Sequence, residues 1–255
     1  MKLITELRVF IPDTRGVMVE ARYGKGNTKI GTNVYTYSRL PGLQGRAALG
    51  FAHEGARIPE GDSHSGTCPG ATDECQRICY ARGPVTERGP VFAMWERNSL
   101  TDSVPPIPAE ATLLRIHVSG DFNSAAYIDA WCRRLQERPD VLTWAYTRSW
   151  RVPSLLTALE TIRALPNMHL FASMDKSHTD LPPAGWRRAW IDGDSRAGDP
   201  QTVRAHMDDP VTHNLTTFDG GATYVCPEET KRVLDCERCG YCFSGQKNDV
   251  TFLEH

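Results

Sequence analysis

From Leu113 onward, short apolar runs alternate with stretches of helical periodicity. Leu113–Ser119 (LLRIHVS) reads as a strand that stops at Gly120-Asp121. Over Ser124–Glu137 the residues Ile128, Trp131, Cys132 and Leu135 share one face at the 3.6 period, which predicts a helix. Val141–Thr147 (VLTWAYT) is the next strand and Pro153–Leu165 the next helix, with Leu155, Leu156, Leu159 and Ile162 facing inward. Met168–Met174 (MHLFASM) is a third strand, Arg188–Ile191 a shorter fourth, Pro200–Met207 a short helix and Ala222–Val225 a last strand before Cys226. Earlier in the chain, Val34–Ser38 reads as a strand and Val91–Leu100 as a helix, while Ala47–Gly66 is a polar, Gly-rich loop.

Strand–helix alternation predicts a parallel sheet with helices packed outside it, because each parallel pairing needs a crossover. Right-handed crossovers at every step curl such a sheet. The expected fold is α/β: a (β/α) barrel or partial TIM-like barrel with cysteine-rich metal-binding loops. About five or six units are discernible, short of the eight of a complete barrel. One domain is expected over residues 1–255, with a less regular part at 1–66 and a C-terminal cysteine motif at 226–243.

The predicted strands end on polar residues: Ser119-Gly120-Asp121, Thr147-Arg148-Ser149, Ser173-Met174-Asp175 and Asp192-Gly193-Asp194. In parallel α/β folds the βα loops converge at that end and bind ligands. Any one of these ends is adequately explained as a turn or helix cap; four in series point to a shared pocket for a small molecule. Its candidate lining is His117, Ser119, Asp121, Arg148, Ser173 and Asp175. By alternation, His117 would share a face with Arg115 and Ser119. Arg148 suits a carboxylate or phosphate because its planar fork grips anions bidentately, although pairing with Asp121 or Asp175 is the structural alternative. Trp144, Tyr146 and Trp150 read as core packing.

Charge removes some partners. A formal net charge of −2 and a pI near 6.4 give no global attraction to nucleic acid. The pairs Arg133-Arg134, Arg187-Arg188 and Lys231-Arg232 look like ordinary solvated surface. No apolar run is long enough to cross a bilayer, and MKLITELRVFIPDTRG is a poor signal peptide, so a cytoplasmic protein is expected.

Eight cysteines change the picture. Cys68, Cys75 and Cys79 form one group, Cys226, Cys236, Cys239 and Cys242 another, and Cys132 stands alone on an apolar helix face as a small hydrophobe. In a reducing compartment, clustered thiols are more often metal ligands than disulfides. Cys236-Glu-Arg-Cys239-Gly-Tyr-Cys242 has the C-x₂-C-x₂-C spacing of ferredoxin-type cluster loops, which take another ligand from a cysteine followed by proline. Cys226-Pro227 and Cys68-Pro69 both fit that description. The expected cofactor is an iron–sulfur cluster of the 4Fe–4S type. Four thiolates could instead close a structural zinc site, giving a zinc-stabilised module that binds a host protein or nucleic acid without catalysis. The first group supplies three thiolates; spacing leaves open whether it holds its own cluster or shares one.

The order of a three-cysteine loop, a helix and a strand ending in Ser119-Gly120-Asp121 is similar to that of radical S-adenosylmethionine enzymes, whose second strand ends in a Gly-Gly-Glu-like motif. Their loop reads C-x₃-C-x₂-C, whereas the gaps here are six and three residues. That likeness implies S-adenosylmethionine as a further cofactor and a redox or radical reaction.

A broader resemblance rests on Gly26–Gly31, Cys68-Pro69-Gly70-Ala71 with Cys75 and Cys79-Tyr80-Ala81, His117–Phe122, Ala145–Trp150, Ser173-Met174-Asp175, and Cys226-Pro227 with the C-terminal triple. In these stretches the chain resembles the Gp88-type proteins of mycobacteriophages. The resemblance implies a phage or prophage origin and a setting in the host cytoplasm.

Overall fold

The computed structural model describes residues 9–12, 16–46, 65–79, 81, 89–177, 179–191 and 214–253. The expected helix at Pro200–Met207, the polar end at Asp192–Asp194, Tyr80 and most of the Ala47–Gly66 loop lie outside them.

The chain opens with an antiparallel hairpin, β1 (Val9–Pro12) with β2 (Met18–Ala21). The main sheet contains β3 (Gly24–Asn27), β4 (Gly31–Tyr37), β5 (Leu113–Ile116), β6 (Leu142–Thr147), β7 (Met168–Ser173), β8 (Arg187–Ile191), β9 (Asn214–Thr216), β10 (Ala222–Val225) and β11 (Asp249–Phe252). Its order is β3-β4-β5-β6-β7-β8-β11-β10-β9. Every pairing from β4 to β10 is parallel; the edge strands β3 and β9 run antiparallel to their neighbours. This is a mixed α/β fold with a largely parallel sheet. The ladder runs from edge to edge, and among the described residues no pairing joins β3 to β9.

The short helix α1 (Asp73–Arg77) falls inside the expected cysteine loop, while α2 (Gly89–Ser99), α3 (Ala125–Glu137) and α4 (Pro153–Arg163) follow the expected signals. Ser124 caps α3 by accepting the Tyr127 N–H at 3.1 Å. Pro153 starts α4, where its missing N–H costs no hydrogen bond. Tyr127, Ile128, Trp131 and Leu135 from α3, with Leu155, Leu159 and Ile162 from α4, bury against Tyr37, Leu114, Ile116, Ala145, Leu170 and Trp190 of the sheet. Cys132 belongs to this layer, as its apolar neighbours predict. Among the described residues, no helix is long and apolar enough to cross a membrane.

The opposite face is covered differently. Alternation turns Val34, Leu113, Trp144, Tyr146, Phe171, Ala189, Val250 and Phe252 to that side, where they pack against Cys226, Cys236, Tyr241, Cys242 and Phe243. These five lie in the segment joining the parallel neighbours β10 and β11, so the crossover that carries the C-terminal cysteines spans the face opposite α3 and α4. The sequence pattern placed the last strand before Cys226; β11 follows the cysteines and inserts between β8 and β10. Its apolar run, Val250–Leu253, is too short to announce a strand without its partners.

Candidate functional site

Seven of the eight cysteines line one cavity of about 250 Å³. Cys68, Cys75 and Cys79 enter from the connection after β4, and Cys226, Cys236, Cys239 and Cys242 from the β10–β11 crossover. None of the eight is disulfide-bonded. A second cavity of about 550 Å³, lined by Arg163, Arg187, Arg188 and Lys247, contains none of them.

The first group is fixed to the sheet by a chain of hydrogen bonds. Thr72 caps α1 by accepting the Cys75 N–H at 2.9 Å, and its hydroxyl donates to Asp175 Oδ2 at 2.7 Å. Asp175, which is 1% exposed, also takes the Arg148 guanidinium through Nε at 3.0 Å and Nη2 at 2.9 Å. Arg148 Nη1 donates to Ser173 Oγ at 2.6 Å. Gly70 makes the docking possible: a Cβ there would lie 2.0 Å from the Arg148 carbonyl oxygen.

Asp121 holds the neighbouring corner. Its carboxylate accepts from the Thr147 hydroxyl at 2.6 Å, the Phe122 N–H at 2.7 Å and the Arg148 N–H at 2.8 Å. Burial raises its pKa against the pull of these donors. Ser119, Asp121, Arg148 and Ser173 meet at the cavity wall, with Asp175 behind Arg148. Arg148 fulfils both halves of the structural alternative, its backbone bound to Asp121 and its guanidinium to Asp175. The Ser119 hydroxyl is buried at the wall without a hydrogen-bond partner.

His117 departs from the expectation. The strand ends at Ile116, and His117 adopts φ 62°, so alternation no longer applies to it. It borders the cavity, but its Nε2 lies 2.9 Å from the Tyr127 hydroxyl of α3 and its ring packs edge-on against Phe122. Burial, and then the nearby Arg39 charge, hold its pKa well below the ordinary histidine range.

The second group sits across the face of the sheet. Helical turn α5 (Cys236–Cys239) is capped by Asp235, which accepts the Arg238 N–H at 2.8 Å, and closes on Gly240 at φ 69°. Cys236 N–H donates to the Lys29 carbonyl at 3.0 Å and Glu237 N–H to the Ile30 carbonyl at 3.1 Å, lacing the turn to the start of β4. Gly31 (φ 105°) leaves the room, since a Cβ there would lie 2.4 Å from Glu237 Cβ. Lys29 reaches Glu229, just after β10, at 2.9 Å. One edge of the sheet is thereby tied to residues near the other. Phe243 lies on Trp144, with ring centroids 4.7 Å apart.

Two residues act directly on Cys242. The Tyr146 hydroxyl donates to its Sγ at 2.9 Å. Arg187 Nη1 lies 3.5 Å from its carbonyl oxygen, while the guanidinium covers the Phe171 ring at 4.1 Å. The pair Arg187-Arg188 is therefore not solvated surface: Arg188 binds Asp249 at 2.6 Å and Asp219 at 2.5 Å. In Arg-Arg-Ala-Trp-Ile, alternation puts Arg187 on the face of Ala189 and Ile191, and that was the available signal. Thr72 had a comparable one, a Thr followed by two acids at a helix start. Tyr146, expected to pack the core, does so and also reaches a cysteine.

Cys68 and Cys75 lie near Cys79 and Asp121, and Cys226 and Cys242 near Cys236, with Tyr146 and Arg187 also close to Cys242. Burial pushes all of these thiols up, Cys75 to about 11 and Cys242 to about 12. A buried thiol becomes a thiolate only with a compensating positive charge, and a bound metal provides one. Among the described residues, no three His, Cys, Asp or Glu side chains stand close enough to hold a single metal ion. Seven thiols in two sets thus line one cavity, and Arg187, which lines the second cavity, has its Nη2 buried without a hydrogen-bond partner.

The family profile described as Gene product 88 matches residues 98–245, which include the second cysteine group and not the first. The chain is similar to the Gene 88 protein of Mycobacterium phage L5, at 30% identity over 80% of this chain and 88% of that protein. It is equally similar to the Gene 88 protein of Mycobacterium phage D29, with the same identity and the same two shares. No solved structure matches it.

Proposed function

The chain belongs to the Gene product 88 family, and we propose that it is an iron–sulfur protein whose two cysteine groups each hold a cluster in one shared cavity. The observation that carries this reading is the convergence of seven undisulfided cysteines, drawn from both ends of the chain, on that cavity. Cys226, Cys236, Cys239 and Cys242 would supply four thiolates to a cluster of the 4Fe–4S type, and Cys68, Cys75 and Cys79 three to another. When bound, such clusters accept and release single electrons at potentials set by their surroundings.

The protein's own residues then have defined tasks. Thr72, Asp175 and Arg148 position the first loop over the strand ends. The β10–β11 crossover shields the second group from water, with Phe243 and Tyr241 packed on the sheet. The curled arrangement is read as a partial barrel, its open side spanned by α5 and the Lys29–Glu229 pair. A small molecule would enter beside Ser119, whose buried hydroxyl is available to it. Reaction of S-adenosylmethionine at the first group is the narrower form of this reading; the position of that loop after the first parallel strand supports it.

Anaerobic purification followed by iron, sulfide and zinc analysis tests the proposal. Iron and sulfide in equal amounts, with broad visible absorbance, is the expected result. Stoichiometric zinc without sulfide would remove it and leave a zinc-stabilised binding module.

A further inference from the structure

The surroundings of Cys242 contain more polar investment than holding one thiol requires. Tyr146 stands on β6 with its ring 5.2 Å from Phe171 and 5.2 Å from Phe252, so its hydroxyl is held on Cys242 Sγ at 2.9 Å. Arg187 stands on β8, two strands away, and its guanidinium is fixed over Phe171. Its Nε donates to the Asn248 carbonyl at 3.0 Å, and its Nη1 points to the Cys242 carbonyl. Nη2 is buried without a hydrogen-bond partner. Among the described residues no carboxylate pairs with Arg187, although Arg188 next to it has two.

Arg187 is half-buried at the edge of the second cavity, so taking part of its guanidinium out of water without a carboxylate partner carries a cost. The cost falls if the group beside it is anionic. Four thiolates around a cluster give such an anion, and each added electron makes it more negative. A hydrogen bond to a ligand sulfur and a nearby positive charge both favour the more negative form. On the cluster reading, we infer that Tyr146 and Arg187 are positioning residues that act through Cys242 to raise the reduction potential of the second cluster. One electron enters the cluster on reduction, and no covalent bond forms or breaks.

The experiment uses the full chain purified anaerobically, with iron and sulfide measured on every sample before titration with dithionite. Tyr146→Phe keeps the ring packing and removes only the donor. Arg187→Gln removes the charge and Arg187→Lys retains it. With wild-type iron content, Tyr146→Phe and Arg187→Gln should titrate at more negative potential, and Arg187→Lys should lie between Arg187→Gln and wild type. The signal of a first-group cluster should stay where it is in all three. Unchanged potentials in iron-replete Tyr146→Phe and Arg187→Gln overturn the inference while leaving the clusters in place. A wild-type protein without iron and sulfide overturns both.

Discussion

The hydroxyl of Thr72 donates to the carboxylate of Asp175 across 103 residues of sequence, at 2.7 Å. That one bond joins the helix cap of the first cysteine loop to the end of β7, and through Asp175 to Arg148. The position of three cysteines thus depends on a carboxylate that ligates nothing.

Thr72→Ala removes the cap and the Asp175 bond together, and should cost about 1 kcal/mol of stability. Asp175→Ala should cost more, about 3–5 kcal/mol, because it leaves the Arg148 guanidinium buried and unpaired. Urea unfolding midpoints of the two variants give the comparison. Equal small losses would mean that the Arg148–Asp175 pair contributes little.

Cys239→Ala should abolish visible absorbance and iron binding at the second group. Cys132→Ala, in the layer between α3 and the sheet, should keep the full metal content and lose about 1 kcal/mol of stability. Metal analysis of both proteins decides the ligand assignment; equal loss of iron from the two would sink it.

Gly31→Ala puts a methyl group at φ 105°, within 2.4 Å of Glu237 Cβ. The backbone conformation alone should cost about 1–3 kcal/mol, and relief of the overlap requires α5 to leave the start of β4. Lower metal occupancy at the second group, with the first group retained, is the expected result. Full occupancy in a stable Gly31→Ala protein would show that α5 does not need this seat.

Asp219 is held below the ordinary carboxylate range by hydrogen bonds from Arg188 and Thr217. Its folded pKa lies below the unfolded value of about 3.9, so its contribution is fully present above that pH. It is lost as the pH falls from there through the folded value. Asp219→Asn should therefore flatten the acid limb of a stability–pH curve and leave the neutral region parallel to wild type. An unchanged acid limb would assign the loss to other carboxylates.

Much of the outer layer was legible in the sequence, because local rules produce it. The α3 and α4 faces follow the 3.6 period, Ser124 and Pro153 mark their starts, and the strands from Leu113 to Ser173 lie within three residues at each end of the runs that announce them. The short strands β3, β9 and β11 were not legible, since their pairing lies with partners far along the chain. His117 borders the cavity, but not by alternation, which holds only while the backbone stays extended and ends at its positive φ.

By itself the sequence determined the strand–helix alternation, the side of each strand that meets the helices, and two sets of closely spaced thiols. These follow from periodicity and spacing over a few residues. Only the tertiary structure decided that both cysteine sets face one cavity and that Tyr146 and Arg187 reach Cys242. It also carried the last crossover across the sheet face opposite α3 and α4. Such relationships join residues tens to hundreds of positions apart, and contacts at that range are set by sheet order and by packing, which no local pattern encodes.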